Sequence, residues 1–404
     1  MFSRISFGLV AAVCSMAVMV QSPSSAKAAP VAYAFVSTAG PSQCTQTTCG
    51  PTGPFNVYSV SVSSSGSLTQ AGVTTSPMPI YHLSVTKSFL FGIDSASNIY
   101  SYSISSTGAL KLVATTHTGK YVSSFYPAHS STLLQVDETG RTLYSLIPTS
   151  QNDRVLASFK IESNGELQFL GTSQADPNAF SQIRFVENNQ FALMDGCYNT
   201  APGASFTTDS NDINDIVTYK RESNGFLTYV GTSHDTPAAK SPYEYCAGPN
   251  ATDPTDHMAI LFSIFNPPGD DIEPGFPLGT YTVNSNGEPS TSSSDENMPV
   301  ANFGNLNQIT IDPTGKLLAI GGGTATQFFH FNGAGPITKY SGGINLGDTP
   351  LEALAWDTSS HFFALSQDAI RIFDVTPKSY TKLKSWDIPD GSKNFGYSMI
   401  VLSK

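Results

Sequence analysis

The sequence predicts an all-β fold, a single seven-bladed β-propeller of four-stranded antiparallel blades, and three observations carry that prediction. A hairpin pattern recurs along the chain. In RVLASFKIESNGELQFLGTS, Val155, Ala157, Phe159 and Ile161 alternate before a Ser163-Asn164-Gly165 turn, and Leu167 and Phe169 alternate after it. Asn-Gly between alternating apolar runs is a strong hairpin signal, because both turn positions tolerate positive φ. The hairpin glycines Gly66, Gly108, Gly165, Gly225, Gly287 and Gly335 then recur at intervals of roughly 40–60 residues, the period of a propeller blade with loop insertions. Beyond the N-terminal leader, finally, no long stretch shows the apolar period of an amphipathic helix, which disfavours α/β barrels and dinucleotide folds.

Each element follows from these patterns. The outer hairpin reads FNVYSVSVSSSGSLTQAGVTT in the first unit, NIYSYSISSTGALKLVATT in the second and DIVTYKRESNGFLTYVGTS in the fourth. A second hairpin precedes it, clearest where Asp312-Pro313-Thr314-Gly315 joins two apolar strands. There Pro313 fixes φ and Gly315 supplies the permissive position. Asp137 to Gly140 and Asp357 to Ser360 repeat that turn, and the segments 85–91 and 185–191 are worn versions of it. Inner plus outer hairpin makes one blade, which places blades near residues 31–75, 78–118, 124–175, 180–235, 242–294, 305–344 and 350–386. Blade five fits worst, with a Pro/Gly/Asp insertion around Pro267 to Gly275. The tail Tyr397 to Leu402 is one further apolar strand. Since ring closure removes exposed sheet edges, it is expected to pair into blade one.

Composition bounds the partners. Of 404 residues only 13% are charged and 40% are hydrophobic, against roughly 25% charged on average. The formal net charge is −11. It becomes about −13 if Arg4 and Lys27 leave with a signal peptide. Such an acidic chain has no electrostatic basis for binding nucleic acid or anionic lipid. Arg4, the apolar run Phe7 to Val20 and Ala26-Lys27-Ala28 read as a signal peptide over residues 1–28, ahead of a propeller over 31–404. A secreted or periplasmic product with no transmembrane segment is therefore expected. In an oxidising compartment Cys44 and Cys49, flanking CTQTTC, are the expected disulfide, with Cys197 and Cys246 a second pair if neighbouring blades bring them together.

The combination of a D-P-x-G-K/R turn with a V-x-x-Y-x-I-x-x-x-G-x-L-x-x-x-G-T hairpin resembles the seven-bladed propeller lactonase family, which includes 6-phosphogluconolactonase-like and carboxymuconate-cyclase-like proteins. The resemblance covers nearly the whole mature chain. It implies a site where the innermost strands begin, at which family members carry His or basic residues. Here Ser241-Pro-Tyr-Glu244, Asn305-Leu-Asn-Gln308, Thr349-Pro-Leu-Glu352 and Phe180-Ser-Gln182 stand instead. A phosphorylated sugar acid calls for several converging Arg or Lys. That scarcity of basic residues argues against phosphogluconolactone as the ligand.

In a propeller the first polar residues of the innermost strands converge at one mouth of the channel. Counting back from the inner turns selects Glu352, Gln308 and Gln182, with Glu244 and His82 nearby and Arg184 on the strand face of Gln182. Read as chemistry, Glu244 or Glu352 serves as general base, Arg184 or His82 stabilises an oxyanion, and Gln182 and Gln308 bind ligand. Read as structure, the same groups hydrogen-bond channel water. Two functions follow, an exported propeller that binds a small molecule or protein at one face as a monomer, or a hydrolase or cycloisomerase of small organic-acid lactones. No cofactor is expected. One cation candidate is the loop carrying Asp209, Asn211, Asp212 and Asp215, whose oxygens suit calcium. It lacks the glycine and distal glutamate of an EF-hand, and a solvated Asx-rich turn is the competing reading.

Overall fold

The computed structural model describes residues 29–44, 49–118, 133–148, 154–174, 182–199, 212–233, 244–265, 275–292, 299–302, 306–347, 349–390 and 394–404. Residues 1–28, expected from the sequence to be a signal peptide, and Asp209, Asn211 and most of the blade-five insertion lie outside them. Seven four-stranded antiparallel sheets succeed one another along the chain, and a two-stranded ribbon, Ser42–Cys44 with Cys49–Pro51, projects from the first. In blades two to seven the four strands follow in sequence order, so each blade is two consecutive hairpins. Blade one differs. Its strands Ala32–Ala39, Asn56–Val62 and Leu68–Thr75 are completed by Phe395–Ser403, which takes the innermost place with Ala32 opposite Ser403. The expected closing strand is present, and the first strands of neighbouring blades pack on one another around the axis.

The turns explain the recurring aspartates. Asp312 Oδ1 accepts the backbone N–H groups of Lys316 at 2.8 Å and Leu317 at 2.6 Å. Asp137 Oδ1 does the same for Arg141 at 2.9 Å and Thr142 at 3.1 Å, and Asp357 Oδ1 for Ser359 at 2.7 Å and His361 at 3.0 Å. A carboxylate that accepts backbone donors fixes the turn and satisfies groups that the sheet leaves unpaired. Asp137 also bonds Arg221 of blade four at 2.6 Å, with the carboxylate wholly buried.

The core is distributed between blades. Each of the seven neighbour interfaces has its own apolar cluster, such as Tyr33, Phe35, Ile80, Leu90 and Tyr102 between blades one and two, or Phe328, Tyr340, Trp356 and Phe362 between six and seven. Burying one such side chain contributes roughly 1.5–3 kcal/mol, so the ring is held by a circle of comparable interfaces. The hairpin glycines belong to these contacts. Gly108 has φ +83°, and a Cβ there would meet Tyr33 Cε1 of blade one at 2.4 Å. Blade six departs from the expected pattern. Its left-handed turn residue is Gly333 at φ +61°, and Gly335 has no positive φ.

Candidate functional site

The innermost strands carry bulges at the end where they begin. Pairing skips Tyr397 in blade one, Tyr81 in blade two, Asn307 in blade six and Glu352 in blade seven. A bulge leaves one residue out of the ladder and re-aims its side chain, which is why bulges recur beside functional sites. Three of these residues stand at one offset from the inner turn, Glu352 before Asp357, Asn307 before Asp312 and Tyr81 before Thr86; the same offset gives Gly248 before Asp253 and Gln182 before Glu187. They define one level of the channel mouth.

The register corrects two sequence expectations. Asn307, not Gln308, is level with Glu352, and the Gln308 side-chain oxygen accepts the backbone N–H of Leu354 in the next blade. Gln308 is thereby a brace between innermost strands. Glu244 opens the blade-five innermost strand opposite Phe265, well before the mouth level, which Gly248 occupies. Asn307 precedes Asp312 by the same interval as Glu352 precedes Asp357, so an even count from the turn aspartate selects Asn307 and passes over Gln308.

On blade seven, Glu352 is half-buried and accepts from Gln367 Nε2 at 2.9 Å. Burial raises its pKa above the usual glutamate value, and the Gln367 hydrogen bond opposes that only in part. On blades one and two, the rings of Tyr397 and Tyr81 meet edge-to-face, 5.8 Å apart at 86°. Burial, then Tyr397 and Asp94, push the Tyr81 hydroxyl up to about 12, so it stays a protonated donor. His82 follows Tyr81, half-buried and paired with Ile93. Blades seven, one and two are neighbours through the closing strand, so Glu352, Tyr397 and Tyr81 form one arc of the mouth.

A second group lies across the ring on blades four and five. Arg184 Nε donates to the Asn250 carbonyl oxygen at 3.2 Å and to Asn250 Oδ1 at 3.1 Å. Its Nη2 donates to the same carbonyl at 3.0 Å and to Gln182 Oε1. Asn250 Nδ2 in turn donates to Asp195 Oδ1 at 2.8 Å. Asp195 is fully buried, and that burial drives its pKa well above the usual aspartate value despite the opposing Arg184 charge. The same desolvation lowers the Arg184 pKa to about 10. Sequence reading found Arg184 and Gln182 but missed Asp195 and Asn250. Neither belongs to a motif, and only pairing of adjacent blades brings them together.

The other candidates scatter. Asp212 and Asp215 fall within the blade-four strand Asp212–Arg221, opposite Asn199 and Gly196. Among the described residues no three His, Cys, Asp or Glu gather as a metal site. Cys44 and Cys49 are directly opposed in the short ribbon. Cys197 lies on the second strand of blade four and Cys246 on the first of blade five. Two surface clefts hold no candidate residue: one of about 750 Å³ along the outer edge of blade six, beside Val300 and Tyr340, and one of about 580 Å³ between the turns of blades five and six. Among the described residues no helix is long and apolar enough to cross a membrane.

No family model matches the sequence, and no curated protein matches it. Solved structures do. A Bacteroides uniformis protein assigned as a 6-phosphogluconolactonase aligns over 92% of this chain and 100% of its own, with TM-score 0.59 and 11% identity. A Desulfotomaculum acetoxidans protein of unknown function aligns over 87% and 95%, with TM-score 0.57 and 11% identity. Hydrazine synthase of Kuenenia stuttgartiensis aligns over 81% and 97%, with TM-score 0.50 and 12% identity. Such unlike proteins on one scaffold mean that the likeness carries the architecture and not the chemistry. By fold, the chain is a seven-bladed β-propeller similar to that of a 6-phosphogluconolactonase-assigned protein.

Proposed function

We propose that the chain is an exported propeller that binds a small, unphosphorylated organic molecule at the mouth of its central channel, as a binding protein rather than a hydrolase. The observation that carries this reading is that Glu352 and Arg184 stand in separate hydrogen-bond groups, Glu352 with Gln367 and Arg184 with Asn250 and Gln182. Glu352 sits on blade seven and Arg184 on blade four, with blades five and six between them. Lactone hydrolysis needs its base and its oxyanion donor within reach of one carbonyl. The arc of Glu352, Tyr397 and Tyr81 instead offers aromatic faces, a hydroxyl kept protonated and a carboxyl whose charge burial disfavours, which suits hydroxyl-bearing ligands. Export is supported by the leader pattern, the cysteine pair and the sparse charge. The second reading, a lactone hydrolase, is motivated by the likeness of the blade turn and hairpin motifs to the propeller lactonase family.

The test is calorimetric binding of a panel of sugars, sugar acids and their lactones to the mature chain, run beside lactone hydrolysis. Saturable binding weakened by Tyr81→Phe and Glu352→Gln, with hydrolysis at the buffer rate, is expected. Turnover abolished by Glu352→Gln would replace this reading with the hydrolase. Binding untouched by either variant would place the ligand elsewhere.

A further inference from the structure

The chain contains four Asn-Gly pairs, at Asn164, Asn224, Asn286 and Asn332, each in the outer hairpin turn of a blade. All four asparagines are exposed. Three of the pairs are built alike. The glycine N–H donates to the carbonyl three residues back, Gly165 to Glu162 at 2.9 Å, Gly225 to Glu222 at 2.8 Å and Gly287 to Asn284 at 2.8 Å. Each of these glycines is buried at positive φ against the preceding blade, facing Phe89, Thr142 and Phe191 in turn.

The fourth pair differs. Asn332 is the first residue of its turn, since its carbonyl accepts the N–H of Gly335 at 3.1 Å. Gly333 then takes the second position, at φ +61°, where the amide points out of the turn. The Gly333 N–H has no acceptor among the described residues. Gly333 is only half-buried, and the nearest atom that a Cβ there would meet is His257 Cε1 at 3.3 Å.

That difference decides reactivity. Asparagine before glycine is open to attack from its own backbone, because glycine has no Cβ to shield the next nitrogen. The Gly333 nitrogen adds to Asn332 Cγ and its proton passes to solvent. The Cγ–Nδ2 bond breaks, and Nδ2 leaves as ammonia with a proton from water, closing a five-membered imide. Water then opens the imide. Cleavage of its nitrogen bond to Cγ yields aspartate, and cleavage of its nitrogen bond to the main-chain carbonyl carbon yields isoaspartate. An N–H held in a hydrogen bond must first be released by local opening, and that free energy adds to the barrier. Gly165, Gly225 and Gly287 need such opening; Gly333 does not. Asn332 Nδ2 donates to the Pro336 carbonyl oxygen at 2.7 Å, a contact that engages the leaving nitrogen and not Cγ.

We propose that Asn332 is a modification site, the Asn-Gly pair that deamidates spontaneously in the folded chain while contacts between blades protect the other three. The product places a carboxylate on the cleft between the turns of blades five and six, which Lys316 and His330 also line. It also removes the donor that braces Pro336.

The experiment incubates the mature chain at mildly alkaline pH and physiological temperature, folded in buffer and unfolded in guanidinium chloride. Peptide mapping by mass spectrometry follows each of the four asparagines, and enzymatic isoaspartyl methylation identifies the rearranged product. In the folded chain Asn332 is expected to convert at least several-fold faster than Asn164, Asn224 and Asn286. In denaturant the four rates should draw together, since local opening no longer separates them. Asn332→Gln, which cannot close the five-membered ring, should abolish conversion at this peptide and leave the other three unchanged. Asn332 converting no faster than the others in the folded chain would overturn the proposal. The same ranking in denaturant as in buffer would overturn it too, because neighbouring residues rather than the fold would then set the order.

Discussion

Replacing Asp137 by Asn tests how the inner turns bind one blade to the next. The Asp137 carboxylate accepts from the backbone N–H of Arg141 and Thr142 through Oδ1. Through Oδ2 it accepts from Thr139 Oγ1 at 2.8 Å, Asn189 Nδ2 at 3.2 Å and Arg221 Nη2 at 2.6 Å. An asparagine keeps the Oδ1 acceptor, so the turn survives. Its amide group, however, turns two N–H donors toward Arg221, whose side chain is only 14% exposed. Thr139 can rotate its hydroxyl to accept; the guanidinium cannot. The cost is that of stranding a buried partner charge, about 3–5 kcal/mol. The assay is urea unfolding of the wild type, Asp137→Asn, Arg221→Met and the double variant. The double variant should recover stability relative to Asp137→Asn, because it removes the stranded charge. A loss below about 1 kcal/mol, or strictly additive effects, would refute the inference that this pair couples blades three and four.

Three further outcomes are expected. The raised Glu352 pKa means its contribution to stability is full below the ordinary glutamate pKa and is lost as pH rises through the folded value. Glu352→Gln should therefore melt progressively higher relative to wild type as pH climbs through that window, and a pH-independent difference would contradict the burial of this carboxyl. Gly108→Ala should cost about 2 kcal/mol or more, from left-handed backbone strain plus the collision with Tyr33. Gly323→Ala, at φ +55° with no atom within 4 Å, should cost only the strain, and equal losses would mean the blade contact is unimportant. Directly opposed strand residues have Cα atoms about 4.5–5.5 Å apart, inside the disulfide range. Cys44 and Cys49, so placed, should resist alkylation in the mature chain until a reductant is added, and immediate labelling of both would exclude the bond.

What could be read from the sequence was whatever repeats locally. Hairpin turns, the Asp at the inner turns of blades three, six and seven and the closing strand announce themselves because a turn's chemistry is written within a few residues. The site is different in kind. Asp195, Asn250 and Arg184 belong to three strands in two blades, and their shared environment exists only once the ring has formed. Tyr81 and Tyr397 meet across nearly the full chain. Gln308 follows the bulged Asn307, and its side chain braces the backbone of Leu354 in the next blade. A bulge has no reliable signature in a single sequence, and one skipped residue changes which side chain stands at a given level.

The pairing of Ala32–Ala39 with Phe395–Ser403 also sets a timetable for synthesis. Blades two to seven are each made of consecutive strands and can assemble as their residues emerge. Blade one cannot, since its innermost strand comes after the strands of all six other blades, and contacts between such distant segments form slowly because the intervening chain must first be brought together. Until then the inner edge of Ala32–Ala39 stays open and the ring has a gap between blades seven and two.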